Sequence, residues 1–266
     1  MAAPAVLYLA IFCAVPLALL LGRSVLGPEG LTLANHIAFL SDPFAWTVIG
    51  NTLSIAGQVT VIALVIGYPM AFALARARGA LQIILLVAII LPLSVGVVVK
   101  AFAWAVILRR NGALNQLLLS LGVTDEPLRL LFTETGLVLG AVNVFLPFMV
   151  LPIYSVVRMV DPRLPDAAAT LGASPLRRFL RVTLPLTLPG VVTGVAFVFS
   201  LAISMYVIPS LLIGDRFQTL ATLTARSFLF LRNEALGGTA ASILLVIALL
   251  VVTLSGWLAR RLGAAR

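Results

Sequence analysis

The chain has 266 residues, 62% of them hydrophobic and only 10% charged, with a mean hydropathy of +1.17 and a net charge of +9. Soluble domains carry about 25% charged and 45–50% apolar residues; a soluble fold of this length cannot hide so much apolar surface, so lipid is the missing solvent. The same arithmetic excludes disorder, a collagen-like chain and a secreted disulfide scaffold, and the single cysteine (Cys13) and single histidine (His36) leave no intrachain disulfide and no basis for a structural zinc site.

A helix crosses a bilayer with about 20 mainly apolar residues. Six stretches qualify in chain order: 3–22, 46–75, 81–108, 135–157, 184–213 and 239–259. The first lacks a basic residue ahead of its apolar core and a clean small-x-small cleavage site after it, so it is expected to be a retained helix rather than a signal peptide. Pro16, Pro69, Pro92, Pro147 and Pro209 fall inside or near the ends of these runs. Kinks of this kind are tolerated where neighbouring helices or water satisfy the freed carbonyls, which suits a polytopic bundle. A membrane barrel needs short segments of alternating polarity, and a run such as Leu81-Gln82-Ile83-Ile84-Leu85-Leu86-Val87 does not alternate. The predicted fold is therefore an all-α membrane protein with a single six-span domain over residues 1–266.

Loop charges set the orientation, judged by Lys and Arg on the cytoplasmic side. One set of connections holds ten arginines: Arg76 and Arg78; Arg158, Arg163, Arg177, Arg178 and Arg181; and Arg260, Arg261 and Arg266. Only Asp161 and Asp166 oppose them. The other set holds seven arginines and seven acids, including Glu29. The first set is read as cytoplasmic, with both termini on that side and Arg23 as an exception on the outer side. The basic excess is then a matter of orientation and calls for no nucleic acid.

The segment 158–183, between spans four and five, is dense in structural punctuation. Pro165 suits a first helical turn, Asp161 can cap that turn or one just before it, and Asp166 near a helix N-terminus favours the dipole. Ala167, Ala168, Ala169 and Leu171 form helix well, and Gly172 can end it at positive φ. A short helix outside the bilayer is expected, with small residues that let another protein approach the backbone. Pro175 can start a second helical stretch carrying Arg177, Arg178 and Arg181, which can meet anionic headgroups. Composition alone also fits an ordinary loop helix with basic anchors.

Asp166-Ala167-Ala168, three residues, Gly172, nine residues, then Val182-Thr183-Leu184-Pro185 resembles the EAA motif of ABC importer permeases, E-A-A-x3-G-x9-I-x-L-P, with Asp for Glu and Val for Ile. The resemblance covers nearly the whole chain. Asn51-Thr52-Leu53, Gly67-Tyr68-Pro69, Leu91-Pro92, the run from Val99 to Trp104, Leu146-Pro147-Phe148 and Ile208-Pro209-Ser210 look like the spermidine/putrescine-type branch. It implies a type I permease fold in the bacterial inner membrane. Asp166, Ala167, Ala168 and Gly172 would lie on a coupling helix that docks in a groove of an ATPase subunit. Implied partners are a second, related permease, an ATPase dimer and an external binding protein. The chain lacks the Walker pattern G-x4-G-K-[S/T], so ATP and Mg belong to the partner, and this chain is expected to be no enzyme and to hold no cofactor or metal.

Lys100 is the one charged side chain well inside a predicted span. An intramembrane charge reads by default as functional, but a lysine near a span end can also snorkel. Trp104 lies one turn further on the same face, where it can stack on a cationic solute or anchor at the interface. Asn143, Ser204 and Tyr206 complete the candidate translocation path. Gly136-x3-Gly140 and Gly190-x3-Gly194 are read as helix-crossing sites. No Asp or Glu lies within any predicted span. A polyamine would have to be recognised by aromatic faces or the second permease, and a zwitterion or organic anion is the alternative cargo. The competing classes are a secondary transporter or channel working alone, which usually shows paired broken helices or membrane carboxylates, and a membrane scaffold.

Overall fold

The computed structural model describes residues 3–27, 30–161 and 163–264. Glu29, Pro162 and Arg266 lie outside the described residues, as do the side chains of Cys13 and Arg260. The elements run α1 (Ala3–Val25), a two-residue antiparallel pairing of Leu26–Gly27 with Gly30–Leu31, α2 (Ala34–Ser41), α3 (Pro43–Arg76), α4 (Gly79–Ile90) and α5 (Val97–Ile107). They continue with α6 (Ala113–Ser120), α7 (Glu134–Val157), α8 (Arg163–Thr170), α9 (Pro175–Arg178), α10 (Leu184–Ser204), α11 (Val207–Leu212), α12 (Leu220–Leu229) and α13 (Glu234–Ala264).

Among the described residues, four helices are long and apolar enough to cross a bilayer: α3, α7, the continuous run Pro175–Ser204, and Glu234–Trp257 within α13. They match the second, fourth, fifth and sixth predicted spans. Helix α1, Ala3–Val25, covers the first predicted span. Two of the predicted stretches are broken in the structure. The stretch 81–108 is not one helix: α4 ends in a 3-10 turn at Leu91–Ser94, and α5 leaves at 103° to it. Pro92 removes a backbone donor there, and Gly96 N-caps α5 in extended backbone. The stretch 184–213 is also divided. Helix α10 stops at Ser204, Met205 turns to extended backbone at ψ 130°, and α11 is a separate short helix.

The centre of the molecule is a three-helix contact of α3, α7 and α10. Ile55, Val59, Leu137, Met149, Ile153, Val198 and Ile203 are all but inaccessible there. Lipid tails are as apolar as leucine, so such helices associate through close packing rather than through the hydrophobic effect. Glycines supply the closeness. A Cβ at Gly190 would lie 2.9 Å from the Pro152 carbonyl oxygen, and one at Gly194 2.8 Å from Met149 Sδ, so α10 crosses α7 nearly backbone to backbone. Gly67 does the same for α3 against Met149. The crossing role expected of the 190/194 pair is thus seen directly. Gly140 instead faces Leu212 and Trp104.

A second buried cluster joins Phe39, Ala45, Val48 and Ile49 to Leu220, Leu223 and Ala240, tying the start of α3 to α12 and α13. Thr52 fixes this end: its buried hydroxyl donates to Val48 O (2.7 Å) and accepts from Leu220 N (2.9 Å). Arg23, the exception among the outer charges, forms an ion pair with Glu234 at 2.9 Å. Both side chains are more than half exposed, so the pair contributes at most about 1 kcal/mol; it aligns the end of α1 with the start of α13. Large apolar side chains such as Val61, Val65, Ile83, Leu250 and Leu254 point outward, as expected where lipid is the solvent.

Candidate functional site

The segment between α7 and α10 folds as its sequence suggests. Asp161 Oδ1 accepts a hydrogen bond from Arg163 N at 2.9 Å, opening α8. Asp166 stands in the first turn, favourable to the helix dipole. The helix closes through Gly172 N to Ala169 O (2.9 Å) and Ala173 N to Ala168 O (3.1 Å), with Gly172 at φ +80°. That left-handed backbone suits glycine because a Cβ clashes there. Asp166, Ala167 and Gly172 are exposed, Ala168 is half-buried, and no residue of α8 is buried. The helix therefore offers a small-residue surface to whatever covers it.

Ser174 starts the next stretch: its hydroxyl accepts from Arg177 N at 3.4 Å, and Pro175 occupies the first turn. The chain then passes through a π-helical turn, Phe179–Thr183, straight into α10. Helix α9, this turn and α10 are one continuous rod, and only the short turn of residues 171–174 separates it from α8. One further bolt holds the rod. The Tyr68 hydroxyl of α3 and buried Thr187 Oγ1 of α10 lie 2.9 Å apart, and Thr187 also bonds Thr183 O at 3.0 Å. Neither Tyr68 nor Thr187 was singled out as a site residue in the sequence, since an isolated Tyr and Thr in apolar runs carry no periodic signal.

The candidate path residues separate into a pair and three others. Trp104 Nε1 donates to Asn143 Oδ1 at 3.1 Å, joining α5 to α7. Ser204 is exposed and its hydroxyl donates back to Ser200 O (2.9 Å) and Leu201 O (3.2 Å) of its own helix. Lys100 stands half-buried in the first turn of α5, just past the 103° bend, its N–H bonded to Gly96 O at 3.2 Å. Tyr206, between α10 and α11, borders a cavity of about 390 Å³ with Ser210, Asp215, Phe217, Gln218 and Arg226. Sequence reasoning passed over this cavity because its acid and base lie in the loop after the fifth span.

The three-helix core, the broken α4–α5 pair and the exposed helix α8 between α7 and the Pro175–Ser204 rod describe a polytopic membrane subunit, and comparison with known proteins gives its class: the transmembrane subunit of a solute importer. The chain belongs to the family of binding-protein-dependent transport system inner membrane components, whose model matches residues 63–264. It is a transport subunit of the ABC importer permease type, not a secondary transporter. Among relatives, the spermidine/putrescine transport system permease protein PotB of Haemophilus influenzae is 34% identical over 92% of this chain and 88% of its own length. The protein of that name from Escherichia coli is 33% identical over 96% and 94%. The molybdenum transport system permease protein ModB of Mycobacterium bovis is 31% identical over 82% and 80%. Of solved structures, a bacterial ABC transporter that imports the acidic polysaccharide alginate superposes with TM-score 0.79 at 16% identity, covering 97% of this chain and 93% of that one. The MetNI methionine ABC transporter gives 0.62 at 14%, covering 83% and 98%. At these identities the superpositions speak for the fold.

Proposed function

We propose that the chain pairs with a second, related permease to form the translocation path of an ATP-driven importer, with α8 as the coupling helix. An ATPase dimer holding ATP and Mg would dock on the exposed face around Asp166, Ala167, Ala168 and Gly172. An external binding protein would deliver the solute from the other side. The loop 158–183 and both termini would then be cytoplasmic, in keeping with the arginine distribution. The observation that carries this reading is the exposed, small-residue α8 joined through a continuous rod to α10, with α10 packed nearly backbone to backbone on α7. Closure of the ATPase dimer would move α8 and tilt α7 and α10 together, shifting the path between two global states.

The cargo proposed is a small amine-bearing solute, of the polyamine type named for the Haemophilus and Escherichia relatives or a related kind. One observation favours a zwitterion as the second reading. Asp215 and Arg226 line one outer cavity with Tyr206, Lys100 stands near the path, and no carboxylate lies in a predicted span. Copurification tests the assembly: the tagged chain should bring down one ATPase and one second permease. A chain that transports solute after purification alone would refute it.

A further inference from the structure

Beside the coupling helix lies a cleft that the importer reading does not use. It has a volume of about 400 Å³ and runs between the end of α3 and the start of the α9–α10 rod. Its floor is aromatic. Tyr68 packs on Phe72 with ring centroids 5.0 Å apart and meets Phe179 edge-on at 5.8 Å. Its rim is basic, formed by Arg76 and Arg178. Arg76 lies 5.8 Å over the Phe72 ring. Arg178 Nε is buried with no hydrogen-bond partner, and an unpaired buried donor on a charged group costs free energy unless something fills its place. Neither arginine forms an ion pair among the described residues.

An adjoining cavity of about 510 Å³ shares Phe72, Arg76, Pro165 and Thr183 and adds Arg78 and Arg158, with Asp161 and Asp166 on the α8 side. One oxygen of Asp161 is already engaged by Arg163 N. Beside the cleft, Leu176 and Leu180 are exposed on the surface. An apolar floor at the ends of two long apolar helices, topped by guanidinium groups with unfilled donor capacity, has the chemistry to hold an anionic amphiphile bearing a phosphate. Basic pockets between membrane helices take such headgroups, and each basic residue adds to the preference.

We infer that this cleft binds an anionic phospholipid, its phosphate on Arg76 and Arg178 and its upper acyl chain along Phe72 and Phe179. The lipid would brace the rod that carries α8 against α3. Native mass spectrometry of the full chain tests this, after exchange into equal amounts of phosphatidylglycerol and phosphatidylcholine. The unmodified chain should retain phosphatidylglycerol over phosphatidylcholine by about twenty-fivefold, roughly fivefold for each arginine. Arg76→Gln with Arg178→Gln should abolish that preference, while Arg109→Gln with Arg110→Gln, on the opposite connections, should leave it intact. Equal retention of the two lipids by the unmodified chain overturns the proposal, whatever the variants do. Binding of inorganic phosphate that depends on Arg76 and Arg178, with no phosphatidylglycerol retained, does so as well, since it would mark a free-phosphate site without an acyl component. Because the readout is lipid retention, the result stands apart from whether the chain pairs with an ATPase.

Discussion

Replacing Gly190 by alanine probes the contact that joins the α9–α10 rod to the core. The added Cβ would meet the Pro152 carbonyl oxygen at 2.9 Å, Val156 Cγ2 at 3.0 Å and Ile153 Cα at 3.1 Å. Two of these three atoms are backbone in the body of α7 and cannot rotate aside, so the helices must part by a few tenths of an ångström. Overpacking of this kind costs about 1–3 kcal/mol, against a gain of about 1 kcal/mol in helix propensity. Gly57→Ala is the matched reference. It makes the same exchange inside α3, where an added Cβ meets nothing within 4 Å. The propensity terms cancel, and the difference between the two variants isolates the packing cost. Thermal unfolding of the purified chain in detergent should place Gly190→Ala below Gly57→Ala by about 2–12 °C, taking roughly 2–4 °C per kcal/mol for a chain of this size. A Gly190→Ala protein melting at or above the Gly57→Ala protein would refute the near-backbone crossing.

Two further substitutions separate structural from transport roles. Thr52→Val keeps the shape but strands the buried N–H of Leu220. It should cost about 1–3 kcal/mol, clearly more than Thr60→Val, whose hydroxyl bonds only Ala56 O within its own helix; melting temperatures of the two decide it. Lys100→Met should leave the yield of folded chain unchanged and lower uptake by the assembled importer about tenfold or more if the ammonium faces the path. Uptake within twofold of the parent would assign Lys100 to the interface instead.

Much of the segment 158–183 is legible residue by residue, because its signals are local. Asp161 caps, Gly172 ends the helix at positive φ and Pro175 restarts it, each through chemistry confined to a few neighbouring residues. The long spans are legible because lipid demands long apolar runs. The breaks are not. Pro69, Pro147, Pro152 and Pro189 sit inside continuous helices, whereas Pro92 lies in a 3-10 turn at a 103° bend. The residue type is the same and both flanks are apolar, so only the packing around each proline decides. Tertiary polar contacts escape in the same way. Asn115, fully buried, reaches Arg109 O and Leu128 O and accepts from Leu128 N, closing the loop between α5 and α7. Phe132 is held at φ +63° while its N–H donates to Leu212 O at 2.8 Å. Neither shows in any periodicity. Of the candidate path residues, Trp104 and Asn143 meet only in a contact between helices, and Ser204 bonds back to its own helix, neither of which shows in the sequence.

The central claim is that α8 transmits the ATPase stroke to the α7–α10 pair. Ala168→Arg tests it most directly. It places a long charged side chain on a half-buried position of the docking face while leaving the caps at Asp161 and Gly172 in place. ATP hydrolysis and solute uptake should be measured together on the importer reconstituted in proteoliposomes. The account predicts hydrolysis uncoupled from uptake, or failure of the ATPase to bind at all. An Ala168→Arg importer that assembles fully and transports at the parent rate would contradict it.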